Sequence, residues 1–180
     1  MCMYNTSESY GWMSKVLHWI MALIVMVMIG VGLYMTGLPK GESRTAIYAT
    51  HKAVGIVVFL LLLHRFTWHF ISPTPGFPSY FTEKEKKITK LVKYLLYLCL
   101  FIMPVSGYLM SSFGGHQISF FSLIQIPMIF TKNEMIGSIF KEVHYYISFA
   151  FIIFIALHVA GSLKHHFIVK DDALKRMSFL

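Results

Sequence analysis

Four long apolar runs separated by short polar gaps dominate the chain: Trp12–Tyr34, Ile47–Ile71, Leu91–Ser112 and Ser138–Leu163. Each exceeds the roughly 20 residues that an α-helix needs to cross the hydrocarbon core of a bilayer. Backbone in lipid must satisfy its own N–H and C=O groups, so runs of this kind are predicted to be transmembrane helices. A fifth apolar run, Ile118–Phe130, has only 13 residues and contains Pro127. It is too short to span, and is expected to lie in the interface or fold over the bundle. The gaps are polar or helix-breaking. Thr36–Arg44 holds Gly37, Pro39 and Gly41, a turn region. Ser72–Pro78 carries three prolines and cannot continue a helix. Thr82–Lys90 is a charged lead into the third helix. The pattern predicts an all-α integral membrane four-helix bundle, a single unit over residues 1–180. The first run is too long for the apolar region of a secretory signal, and no cleavage site with a soluble domain behind it follows.

Composition agrees with lipid as the main solvent. Apolar residues make up 56% of the 180 and charged residues 13%, where a soluble chain carries roughly 25% charged. The net charge of +8 would raise nucleic acid as a partner in a soluble protein. Here the cations gather in the gaps between apolar runs, a membrane-surface pattern, and nucleic acid is set aside. They also gather unevenly. One side holds Lys15, Arg65, Lys84, Lys86, Lys87, Lys90, Lys93, Lys164, Lys170, Lys175 and Arg176; the other holds Lys40, Arg44, Lys52, Lys132 and Lys141. Eleven against five puts both termini in the cytoplasm. Cys2 and Cys99 are predicted to be far apart and have no metal-ligand spacing, so neither is given a role.

Nine histidines is a high number, and four fall well inside the spans: His18, His51, His144 and His158. Ionisable residues inside a membrane are costly and usually functional. His144 and His158 are 14 residues apart, which is about 21 Å of rise and about 320° of net rotation on an α-helix. They therefore share nearly one face at opposite depths. His18 is at the depth of His158, and His51 at that of His144. Depth alone gives two pairs, His18 with His158 and His51 with His144, and each is a candidate bis-histidine haem site. A flat macrocycle needs room beside its ligand. The residues one turn on, at i+4, are Ala22, Gly55, Ser148 and Ser162, all small. Small residues also favour close helix packing without a cofactor. Two other readings stay open: packing histidines hydrogen-bonded across the bundle, and a metal or proton path. The spans carry no carboxylate except Glu142 at a helix mouth, which disfavours a divalent-metal path.

Taken with their neighbours, these residues resemble the bacterial cytochrome b561 family. The resemblance is carried by Leu17-His18-Trp19-Ile20 with Gly32-Leu33-Tyr34-Met35, by Tyr48-Ala49-Thr50-His51-Lys52, by Gly107-Tyr108-Leu109-Met110-Ser111-Ser112 and by Ile118-Ser119-Phe120-Phe121-Ser122-Leu123. It continues through Lys141-Glu142-Val143-His144 and Ala156-Leu157-His158-Val159-Ala160 to Leu163-Lys164-His165-His166-Phe167. It implies a bacterial inner-membrane cytochrome with two haems b between its helices and ligands at His18, His51, His144 and His158. It also implies quinone as electron partner. Some members resemble superoxide:ubiquinone oxidoreductases; relatives that are cytochrome subunits of hydrogenases or dehydrogenases form the rival reading. A non-redox scaffold or haem carrier is the third. Two positions depart from the family pattern: His64 replaces an apolar residue and His69 an arginine.

Further site candidates follow. Arg65 suits a propionate of the inner haem, since a guanidinium binds carboxylate through two parallel hydrogen bonds; a headgroup anchor is the competing reading. Lys52, next to His51, and His116, before the fifth apolar run, are the outer-site candidates. There a mildly positive surface would attract a small anion such as superoxide. His165 lies seven residues after His158, two α-helical turns down the same face, and is a candidate contact for a propionate or a quinone carbonyl.

Overall fold

The structure is a computed structural model and describes residues 2–179. Four long helices run in the order α1 (Trp12–Thr36), α2 (Glu42–Ile71), α3 (Glu83–Phe113) and α4 (Glu134–Leu163), all long and apolar enough to cross a membrane. The protein is an all-α, multi-pass membrane protein, with one small hairpin between α3 and α4.

Three helices start earlier than the apolar runs do, at Glu42, Glu83 and Glu134. An acidic first turn complements the helix dipole. Side-chain caps close two of these starts. Thr82 Oγ1 accepts from Glu85 N at 3.2 Å while Thr82 N donates back to Glu85 Oε2 at 3.1 Å, a reciprocal capping box. Asn133 Oδ1 accepts from Ile136 N at 3.1 Å. The helices therefore project past the hydrocarbon, which apolarity alone cannot register.

The fifth apolar run folds back on itself. Ile118–Phe120 (β1) pairs antiparallel with Ile124–Ile126 (β2), Ile118 facing Ile126. Phe121 and Ser122 make the turn with φ of 48° and 61°, the left-handed backbone a tight hairpin needs. Ile118 is buried, and β1 lies against α2. Tyr108 OH on α3 donates to Pro127 O at 2.8 Å and accepts from Ile129 N at 3.3 Å, which ties down the rest of the run.

The helices pack α1 on α2, α2 on α3 and, most extensively, α3 on α4. Among the described residues, α4 does not pack its backbone closely on α1 or on α2. A mid-depth cluster of Met21, Val25, Val58, Leu62, Cys99 and Phe151 joins all four. Outward-facing Leu23, Leu91 and Ile153 are exposed, as lipid-facing side chains are. At one end of the bundle the two ends of the chain are knitted together. Lys15 Nζ donates to Ser178 O at 2.6 Å, Trp19 Nε1 to Met177 O at 3.0 Å and Arg176 Nη1 to Gly76 O at 3.0 Å. Asn5 N donates to Ser72 Oγ at 2.8 Å.

Candidate functional site

Two pairs of imidazoles face each other across the gaps that α4 leaves. His18 on α1 and His158 on α4 have ring centroids 6.1 Å apart, with planes at 69°. His51 on α2 and His144 on α4 are 6.5 Å apart, at 77°. Each pair bridges two helices that stand away from one another. Two metal–imidazole bonds of about 2 Å each, plus two ring radii of about 1 Å, come to about 6 Å. The spacing of both pairs therefore suits a metal held between them, and the helix separation leaves room for a flat macrocycle around it. Among the described residues no group of three or more His, Cys, Asp or Glu gathers elsewhere as a metal site.

The second ring nitrogens differ. His144 Nδ1 lies 3.0 Å from Met103 O and 3.1 Å from Ser106 Oγ. Donation from Nδ1–H to the Met103 carbonyl leaves the Nε2 lone pair free, the arrangement a ligating histidine uses. His51 Nδ1 is buried with no hydrogen-bond partner among the described residues. Beside it is a cavity of about 280 Å³ lined by Leu23, Val27, Val31, Thr50 and Val54. His18 Nδ1 lies 3.3 Å from both Nη1 and Nη2 of Arg65, and Arg65 Nε donates to Tyr97 OH at 3.0 Å. A guanidinium only donates, so here His18 Nδ1 accepts. Arg65 has no carboxylate partner among the described residues.

Glycines on neighbouring helices lie beside the His51–His144 pair. A Cβ added at Gly107 on α3 would sit 3.4 Å from His144 Cε1, and one at Gly32 on α1 would sit 3.5 Å from His51 Cε1. At Gly55 an added Cβ would meet only Met28 Cε, at 4.0 Å, so the space beside His51 on its own helix is open. Ser148 and Ser162 turn their hydroxyls onto Tyr145 O and His158 O of α4.

The remaining candidates stand apart from the pairs. Lys52 is half-buried on α2; His116 is exposed beyond α3, and its backbone N–H donates to Ser111 O at 2.8 Å. No hydrogen bond joins the two among the described residues. Lys132 is paired with Glu134 at 2.8 Å, which raises its pKa above the usual lysine value through that hydrogen bond and charge. His165 lies just past α4, in a π-helical turn formed by Lys164–Val169, which is wider than an α-turn. His165 Nδ1 lies 2.5 Å from Asp171 Oδ2, and its ring stacks on Phe81 with centroids 4.5 Å apart. His64 and His69 are exposed. Sequence reasoning did not pick out Met103, Ser106, Tyr97 or Gly32 and Gly107 as site residues, although both glycines stand in segments that carry the family resemblance.

The family profile described as prokaryotic cytochrome b561 matches residues 9–179. Cytochrome b561 homolog 2 of Escherichia coli (strain K12) is 36% identical over 176 residues, covering 96% of this chain and 93% of that protein. Cytochrome b561 homolog 1 of the same organism is 29% identical over 168 residues, 89% of this chain and 92% of that one. A Yersinia pestis protein named probable superoxide oxidase CybB is 22% identical over 170 residues, 94% of this chain and 96% of its own length.

Proposed function

The chain belongs to the prokaryotic cytochrome b561 family, a membrane electron carrier that uses haem b, and from that premise we propose that it works as one unit over residues 1–180 with two haems b. His51 and His144 hold the outer haem, and His18 and His158 the inner. The observation that carries this is the two facing histidine pairs, each across helices that stand apart. The termini lie in the cytoplasm, as the eleven-to-five division of cations supports.

Haem held by these histidine pairs would supply one-electron transfer, with both axial positions taken by protein. The protein does the rest. Met103 O fixes the His144 proton on Nδ1 and so aims Nε2 into the gap. The groove beside His51 is lined almost wholly by apolar side chains. Ligation through His18 Nε2 requires a proton on Nδ1, which excludes the contact with Arg65 seen here. With haem held by His18, the Arg65 guanidinium would be free to hold a propionate.

Superoxide is the proposed donor at the outer face and quinone the acceptor. Each superoxide leaves as dioxygen after giving one electron; two electrons and two protons convert a quinone to a quinol. Support for superoxide comes from the name of the distant Yersinia relative and from the outer surface, where Lys40, Arg44, Lys52, Lys132 and Lys141 face Glu42, Glu134 and Glu142. Lys52, adjoining His51, and His116 are the outer-site residues of this proposal.

The test is a reduced-minus-oxidised spectrum of the purified protein with haem counted per chain. Two low-spin haems are expected. His51→Ala and His144→Ala should each remove the outer haem, and His18→Ala and His158→Ala the inner. One haem in the wild type, or loss of the same haem in all four variants, refutes the pairing. Negligible reduction by a superoxide pulse, with turnover only alongside a co-purified dehydrogenase, favours the docked-subunit reading.

A further inference from the structure

Phe151 stands seven residues from His144 and seven from His158. On an α-helix that is about two turns and about 10.5 Å in each direction. Its ring therefore leaves α4 on the face that carries both histidines, midway between them. It is 5% exposed and packs with Met21 and Val25 of α1, Val58 and Leu62 of α2 and Cys99 of α3. All four helices meet at this one level, and the level separates the two histidine pairs. None of the six buried side chains of this cluster is charged or carries a hydroxyl; Tyr97, which packs against it, is held by Arg65 through its OH. The proposed electron path needs two sites at different depths, but none of the groups assigned so far keeps them apart.

We propose that Phe151 is a positioning residue that partitions the two haem sites and keeps the space between them dry, a role that rests on the two-haem reading above. Two physical effects follow. A low dielectric disfavours the more highly charged, oxidised state of a buried redox centre, so exclusion of water raises the potential of whatever each pair holds. Charges also interact several times more strongly across dry protein than across water, so the redox state at one pair is felt at the other. Because Phe151 is equidistant from both pairs, it acts on both. A residue seated beside one pair acts chiefly on that pair.

The test is a spectroelectrochemical titration of the haem-loaded protein in lipid nanodiscs. Phe151→Asn places an amide and admits water at the partition. Both midpoint potentials should shift downward, and the gap between the two waves should narrow. Phe151→Leu keeps the space apolar and should leave both waves near their wild-type positions, as should Ile153→Ala on the exposed side of the same helix. Should Phe151→Asn fail to retain haem, Cys99→Ser decides. It is nearly isosteric, sets a hydroxyl at the same level, and should move both waves downward by a smaller amount. Wild-type titration of the decisive variant, or a shift of one wave alone, overturns the role of Phe151. The underlying reading fails separately, when wild-type protein carries fewer than two haems.

Discussion

The second ring nitrogens of His144, His18 and His51 face a carbonyl, a guanidinium and no partner among the described residues, and these differences decide how firmly each ring is aimed. Glycines on neighbouring helices also lie close to the His51–His144 pair, Gly107 beside His144 and Gly32 beside His51, where an added Cβ would already touch the ring. Overpacking a tight site costs about 1–3 kcal/mol. Gly107→Leu should therefore displace His144 and lower occupancy of the outer haem, and Gly55→Leu, which fills the room beside His51 that a macrocycle needs, should lower it as well. Haem per chain by absorbance, with the inner signal as internal reference, checks both; full outer occupancy in Gly107→Leu would refute the steric role. The histidines were legible because spacing within one helix fixes face and depth. The glycines were not, because their contact runs between helices, and arithmetic along a single helix reaches only residues such as Gly55. The Arg65–His18 contact was hidden for the same reason, since residues 47 apart in sequence meet only after packing.

At the scale of the element, hydropathy located the four spans but cut α3 short, at Leu91 instead of Glu83. Apolarity reports only the lipid-embedded part of a helix. The signal for the true start, Thr82 followed three residues later by Glu85, is a polar one. Glu85 Oε1 also lies 3.3 Å from Lys164 Nζ, so the cap of α3 touches the end of α4. Thr82→Ala should destabilise the protein by about 1 kcal/mol, the usual value for a lost N-cap, and thermal unfolding followed by haem release would measure it. No change in midpoint would mean the lipid-embedded turns alone hold α3. The hairpin was less legible still. Its turn is built on Phe121 and Ser122, not on the Asn-Gly type of sequence that announces such turns. The π-helical turn at Lys164–Val169 likewise has no simple sequence mark, and neither do the contacts of His165 with Asp171 and Phe81.

At the scale of the whole molecule, charge is divided between the two faces, and the outer cations are not equivalent. Lys132 is matched by Glu134, whereas Lys52 forms no ion pair among the described residues. If superoxide is drawn to this face, Lys52→Gln should slow haem reduction by a factor of about two, and Lys132→Gln should have less effect. The rate should also fall with added salt, because the Debye length is about 8 Å at physiological ionic strength. Stopped-flow reduction by a superoxide pulse at two salt concentrations measures both; a rate indifferent to salt and to Lys52 would remove superoxide as the donor. One feature of the bundle also bears on how the molecule is made. α1 and α2 each offer one of the four paired histidines, α3 offers none, and α4 offers two. A ribosome that has delivered three helices to the membrane has therefore produced two half-sites at opposite depths and no complete one. Insertion of the fourth helix completes both together. On the proposed two-haem reading, cofactor capture in the growing chain would be a single late event, and a nascent protein stalled before α4 would have no paired histidines to fill.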